Sequence, residues 1–479
     1  MNGTLIQYFE WYLPDDAKHW QHTAQQAQSL ADVGITAVWL PPAYKGANGV
    51  NDVGYGVYDT YDLGEFNQKG SIPTKYGTKV EYLQAIEALH KAGLQVLADI
   101  VLNHRIGADE CENAQAVEDA GNNRNNTVSG KETISVYTKF NFPNRNGKYS
   151  TFTWNKSHFD GVDWDAAKKR SAVFKLDGKS WDKEVDGENG NYDYLMGADL
   201  DMSNPEVINE LDNWGLWYLN ETGVDGLRLD AVKHISFEFF TGWLERLRSK
   251  TGKELFAVGE YWKPDLNVLQ HYLGACRECM SLFDVPLHFN FFAASHGRGD
   301  YDMRHILDNS LVSVNPTKAV TFVDNHDTQP GQALASWVDG WFKPLAYAII
   351  LLREAGYPCV FYGDYYGIQH DNISPVGDAI TAMIKARKTA AYGVQHDYFD
   401  HPNIIAWTRE GVSDRDTSGI AVLLSDGPGG EKRMYVGTQH AKKVFAPVTG
   451  GGSAVTIDDD GCAVFSVDGG SARVYVRQK

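Results

Sequence analysis

The chain has 479 residues, enough to bury a large core and more than one domain usually holds, so two or three domains are expected. Its composition is that of an ordinary soluble globular protein, which excludes a disordered, coiled-coil or collagen-like chain. A formal charge of −18, from 44 Lys+Arg against 62 Asp+Glu, argues against nucleic acid as a partner, because that binding needs a basic face.

The first residues, from Met1 to Trp11, carry no basic segment followed by an apolar one, so they read as a strand and not as a secretory leader. No apolar run approaches the ~20 residues that span a membrane. Five cysteines make a poor disulfide framework, and the Cys276/Cys279 pair lacks the second pair or flanking histidine of a zinc site, so the thiols are expected to be reduced. A cytoplasmic location is expected, although a mature secreted form begun at an added Met1 would read the same way.

Short β-branched and aromatic runs alternate with amphipathic helical stretches. Strands are predicted over 4–10, 36–40, 95–101, 226–230, 255–260, 281–285, 319–324 and 358–362, and helices over 20–33, 80–92, 205–221, 237–250 and 344–354. Eight strands separated by helices predict a (β/α)8 barrel of the α/β class over 1–102 and 205–390. The connection over 103–204 is too long to be a loop, so it is expected to form an inserted β-rich domain, with a strand-like piece at 151–154. Beyond 391 the helical period stops. Strands over 404–409, 419–424, 432–436, 462–467 and 473–476, with a Gly-rich turn at 450–452, predict a C-terminal antiparallel β-sandwich over 391–479.

In such a barrel the chemistry sits where strands end at the carboxyl face. Strand three closes on Asp99, Asn103 and His104; strand four on Arg228 and Asp230, followed by Lys233 and His234; strand five on Glu260, Tyr261 and Trp262; strand seven on Asp324, Asn325, His326 and Asp327. Carboxylates on one rim suit glycoside hydrolysis, which needs one carboxylate at the sugar carbon and one carboxylic acid at the leaving oxygen. Arg228 shares a strand face with Asp230 and would keep it ionised. Glu260, between aromatic neighbours and near other carboxylates, is placed to stay protonated.

The segments DIVLNH at 99–104, DGLRLDAVKH at 225–234, GEYW at 259–262 and FVDNHD at 322–327 resemble, in order and spacing, the motifs of the α-amylase family of glycoside hydrolases. The stretches YFEWYLP, VWLPPAYKG, DLGEFNQKGSIPTKYG and FYGDYYG look closer still to its bacterial liquefying and intracellular members. The resemblance implies an endo-acting, retaining α-amylase acting on the α-1,4 bonds of starch, glycogen and maltooligosaccharides. It implies Asp230 as nucleophile, Glu260 as general acid/base and Asp327 as the third carboxylate. Tyr55, His104, Arg228, Lys233, His234, Trp262 and His326 would contact or orient the sugar. It also implies a structural Ca²⁺ held by Asn103, Asp193, Asp199 and the backbone carbonyl of His234. A second Ca²⁺ or Na⁺ would sit beside it on Asp160, Asp182 and Asp201, since oxygen ligands of this type suit hard cations.

In some relatives a further calcium joins barrel and C-terminal domain through a His-Asp pair. Pro402 and Asn403 stand there in this chain, beside matching Gly299, Tyr301 and Asp426, so that site is expected to be absent or weak. Two alternatives share the motifs or the fold: an exo-acting, maltogenic or transglycosylating member, and a non-catalytic carbohydrate-binding protein. A monomer without membrane partners is expected.

Overall fold

The computed structural model describes residues 2–478. Eight parallel strands, Leu5–Gln7, Ala37–Leu40, Gln95–Ile100, Gly226–Leu229, Phe256–Gly259, Ser281–Phe283, Ala319–Phe322 and Tyr357–Phe361, close into a barrel in chain order. The last strand pairs with the first through Leu5 and Cys359. All eight fall within a residue of the predicted positions or inside them. They are short and almost wholly buried, as parallel strands covered by helices on the outside must be.

Local sequence explains the helix boundaries. Thr78 and Glu81 form a reciprocal capping box at the start of Lys79–Lys91. Asn204 caps Pro205–Thr222, whose Pro occupies the first turn and whose end is closed by Gly223 at φ 73. Further helices, Leu266–Ala275, Val285–Gly297 and Gly377–Thr389, were not singled out from the sequence. Of these, Val285–Gly297 is apolar nearly all round and so shows no helical stripe.

Between the third and fourth barrel strands the chain builds an antiparallel sheet from Glu110–Ala120, Asn123–Thr127, Glu132–Lys139, Phe159–Asp165, Arg170–Leu176 and two short closing strands, His104–Arg105 and Ala198–Leu200. Those two pair with each other, Asp199 opposite His104, so the insertion leaves and re-enters the barrel at one place. The piece at 151–154 is not a strand. Only Trp154 bridges to Phe140, while Thr151 and Thr153 are exposed and Phe152 packs on His158, so no neighbour exists to complete a ladder.

The C-terminal part is a six-stranded antiparallel sheet facing the two-stranded sheet of Gly430–Tyr435 and Cys462–Val467. Ala406, Leu423, Met434, Phe445, Phe465 and Tyr475 fill the space between them. Strands Gln395–Tyr398, Val444–Pro447 and Val455–Thr456 add to the predicted five. The sandwich is tied to the barrel by Trp407, whose indole N–H donates to the Leu352 carbonyl at 3.3 Å. All five cysteines are free.

Candidate active site

At the carboxyl rim the chain continues the barrel's hydrogen bonding past the strand ends. Asp230 N–H donates to the Ile100 carbonyl at 2.9 Å, and Glu260 N–H donates to the Leu229 carbonyl at 2.9 Å. Ala231, held at φ 49, then turns the chain sharply away, which leaves Asp230 at the mouth.

Arg228 lies beneath and is fully buried. Its Nη1 donates to Asp99 Oδ1 at 2.8 Å and to Asp230 Oδ1 at 2.7 Å, while Nη2 lies 2.7 Å from Glu260 Oε2 in an ion contact. One guanidinium therefore serves three carboxylates, Asp230 among them. Burial pushes the carboxyls of both Asp230 and Glu260 up, and Arg228 opposes this at each. Glu260 in addition feels the charge of Asp230, which raises it, and the Ala231 backbone N–H, which lowers it. Tyr261 plays no part, since it is turned to Asp186 and donates its hydroxyl there at 2.7 Å. Glu260 Oε1 is buried with no partner.

Asp327 is half-buried at the end of strand seven, and burial followed by the charge of Glu260 holds its carboxyl well above the usual range. Its Oδ2 lies 3.3 Å from His326 Nε2. Gln7 Nε2 donates to His326 Nδ1 at 2.9 Å, so the proton of this deeply buried, neutral imidazole sits on Nε2 and faces the carboxylates. His104 carries its proton on the same nitrogen but turns it away from the site: Nε2 donates to the Tyr55 carbonyl at 2.9 Å, and its buried Nδ1 is left without a partner. Tyr55 donates its hydroxyl to Asp99 Oδ2 at 2.9 Å, and its ring lies parallel to those of His326 at 5.0 Å and Trp11 at 5.9 Å. Trp39 Nε1 donates to the same Asp99 oxygen at 3.0 Å.

Gln7, Trp11 and Trp39 have no place in the sequence reading of the site, and Asp99 appears there only as part of the rim. Gln7 and Asp99 carry a signal nonetheless, as polar residues in apolar strand runs, where each needs a partner once buried. Lys233, His234 and Trp262 stand to one side of this group. Lys233 Nζ lies 3.3 Å from the Trp262 carbonyl and from Glu188 Oε2, with the Tyr192 ring below it. His234 Nδ1 donates to the Tyr192 carbonyl at 2.7 Å, and Trp262 packs on His288, Phe289 and Phe322.

Behind this side the insertion gathers buried aspartates. Ligand oxygens of Asp160, Asp182 and Asp193 lie within 4.8 Å of one another. Asn103 Nδ2 donates to Asp199 Oδ1 at 3.2 Å. One carboxylate oxygen each of Asp160 and Asp199 is buried without any partner. Burial and the other acids push Asp160 up to about 9 and Asp182 up to about 6, and hold Asp193 and Asp199 well above their ordinary value. So many buried acids with orphaned oxygens fit a hard divalent cation with six to eight oxygen ligands.

Asp193 of the first set read from the sequence thus lies beside Asp160 and Asp182 of the second. Asp201 Oδ1 accepts from Ser203, and its Oδ2 is paired with Lys179. At the junction with the C-terminal sandwich, Asn403 Nδ2 donates to the Gly299 carbonyl at 2.7 Å and to Asp426 Oδ1 at 3.0 Å. There a neutral amide joins a backbone carbonyl of the barrel to a carboxylate of the sandwich.

Comparison with known proteins agrees with this geometry. The family model described as the α-amylase catalytic domain matches residues 14–410. The chain is similar to an α-amylase of Geobacillus stearothermophilus, 59% identical over 481 residues that cover 100% of this chain and 87% of the relative. It is 53% identical to a glucan 1,4-α-maltohexaosidase of Bacillus sp. (strain 707), covering 100% and 93%, and 43% identical to a cytoplasmic α-amylase of Escherichia coli (strain K12), covering 99% of each. A crystal structure of an α-amylase from Geobacillus thermoleovorans complexed with acarbose shares the fold, with a TM-score of 0.67 at 18% identity over 100% of this chain and 98% of that one. The barrel, its rim of carboxylates on one guanidinium and these matches place the chain in the α-amylase family of glycoside hydrolases.

Proposed function

We propose that the protein is an endo-acting α-amylase that cleaves internal α-1,4-glucosidic bonds of starch, glycogen and maltooligosaccharides with retention of configuration. The observation that carries the reading is Arg228, which holds Asp230 and Glu260 on either side of one buried guanidinium and leaves Glu260 Oε1 free. Two carboxyl groups held so closely suit double displacement, whose carboxyls stand ~5–5.5 Å apart.

In this reading Asp230 attacks the anomeric carbon while Glu260 gives its proton to the glycosidic oxygen. Glu260 then takes a proton from the water that releases the sugar from Asp230. Asp327, His326 and His104 bind hydroxyls of the sugar at the scissile bond, Tyr55 stacks beneath it, and Lys233, His234 and Trp262 meet the chain beyond it. A Ca²⁺ ion would be held by Asp160, Asp182, Asp193, Asp199, Asn103 and the backbone carbonyl of His234, and when bound would fix the insertion to the barrel beside the loop after Asp230. The cytoplasmic relative and the five free cysteines support a cytoplasmic place for the protein.

The maltohexaosidase relative supports a second reading, release of short products from chain ends. Digestion of soluble amylose, followed by iodine colour and reducing ends together, separates the two. Early loss of colour with few new ends is expected for internal cleavage; colour that persists while ends accumulate would establish the second reading. Asp230→Asn should abolish turnover and keep oligosaccharide binding, and unchanged turnover would remove Asp230 from the chemistry.

A further inference from the structure

We propose that Cys276 and Cys279 form a reversible dithiol–disulfide site, oxidised by low-molecular-weight disulfides of the glutathione type. The glycosidase chemistry makes no use of this pair. It lies where the helix Leu266–Ala275 turns into the sixth barrel strand at Ser281, on the face of the barrel opposite the carboxylate rim.

The backbone between the two thiols is unusual. Arg277 and Glu278 both adopt φ 50, and Cys279 N–H donates to the Cys276 carbonyl at 3.1 Å. Two successive left-handed residues closed by that bond make a type I′ turn, which brings its first and fourth Cα atoms within about 7 Å, a separation a disulfide can span. Neither Arg nor Glu favours this conformation, so the turn is held by its surroundings. Thr241 does part of this, donating its hydroxyl to the Cys276 carbonyl at 3.1 Å, and Lys318 Nζ donates to the Glu278 carbonyl at 2.5 Å.

The two sulfurs differ in the way a redox pair requires. Cys276 is fully buried and Cys279 is half-buried. The neighbouring Cys276 thiol, with the charges of Arg248 and Lys318, holds the Cys279 thiol down to about 7 against the upward push of burial, while its partner is pushed up. Cys279 is thus the attacking thiolate and Cys276 the resolving thiol.

The steps balance. Cys279 Sγ attacks one sulfur of the oxidant, breaking its S–S bond, and the first small thiol leaves as thiolate. Cys276 loses its proton to that thiolate and attacks Cys279 Sγ, which expels the second. The protein pair loses two electrons and two protons, and the oxidant becomes two thiols.

The test uses the whole protein, equilibrated in buffers of increasing glutathione disulfide to glutathione, quenched in acid, alkylated and digested with trypsin. Cleavage after Arg277 separates the two cysteines, so only a disulfide keeps their peptides joined. The expected result is a linked pair, two hydrogens lighter than the sum of its peptides, that grows with a single midpoint in folded protein and is lost on reduction. Cys279→Ser should abolish it, and Cys276→Ala should instead trap glutathione on Cys279. Full alkylation of both thiols at the most oxidising ratio would overturn the proposal. So would a glutathione adduct on wild-type Cys279 without the linked pair, or linkage confined to protein that has lost its thermal transition.

Discussion

Replacing Arg228 with Lys tests the centre of the proposed mechanism. The guanidinium reaches Asp99, Asp230 and Glu260 at 2.7–2.8 Å through two nitrogens, with no solvent exposure. A single ammonium on a differently shaped stem cannot meet all three, so at least one buried carboxylate loses its charged partner. Breaking a buried pair costs about 3–5 kcal/mol of stability. One charge-assisted hydrogen bond lost from the nucleophile, worth about 1.5–3 kcal/mol, corresponds to roughly a 10- to 150-fold loss of kcat/KM.

The pH profile gives the sharper signal. Activity needs ionised Asp230, and Arg228 opposes the upward push of burial on that carboxyl. Weakening this opposition raises the pKa of Asp230, so the acid limb of kcat/KM must move to higher pH. The assay is hydrolysis of a chromogenic maltooligosaccharide from pH 4 to 9, beside a thermal melt that shows the variant folded. A folded Arg228→Lys protein with kcat/KM near wild type and an unmoved acid limb would refute the reasoning.

Three further outcomes are expected. Gln7→Glu replaces the donor to His326 Nδ1 with an acceptor, which favours the other tautomer or the cation. Activity should fall about tenfold, as loss of roughly 1.4 kcal/mol does, with a shift of the His326 ¹⁵N resonances; unchanged resonances would show that Gln7 does not set the tautomer. Exhaustive chelation should lower the Tm, and micromolar Ca²⁺ should restore it, because an ion bound only to the folded state stabilises it by about 2.7 kcal/mol at a hundredfold excess over Kd; an unmoved Tm would exclude a structural ion at the aspartate cluster. Burial holds His288 down to about 4 from 6.5, with Nδ1 on the Val323 carbonyl and Nε2 on Ser336. The unfolded chain binds this proton first as pH falls, so stability is complete above about 6.5 and is lost toward 4, by roughly 3 kcal/mol from this group. Urea unfolding of His288→Gln at pH 7 and 4.5 should show less of that loss than wild type, and an equal loss would remove His288 from the account.

The barrel was legible in the sequence because its information is local and periodic. Short buried runs, several of them followed by an amphipathic helix and some of those capped, as at Thr78 and Asn204, mark the eight strands to within about three residues. Asp230, Glu260 and Asp327 were legible as candidates, since polar groups at the ends of barrel strands have few other reasons to be there, whereas the acids of the insertion were assigned through the family resemblance. Partnership was not legible. That Arg228 is shared by three carboxylates, that Gln7 orients His326 across 319 residues and that Lys179 claims Asp201 depend on which strands are neighbours in a closed barrel and on how the inserted sheet folds back. Sequence spacing sets which face a side chain occupies. Only the tertiary structure sets what lies across from it, and in a buried site that decides charge, tautomer and the choice between a proton, a cation and a hydrogen bond.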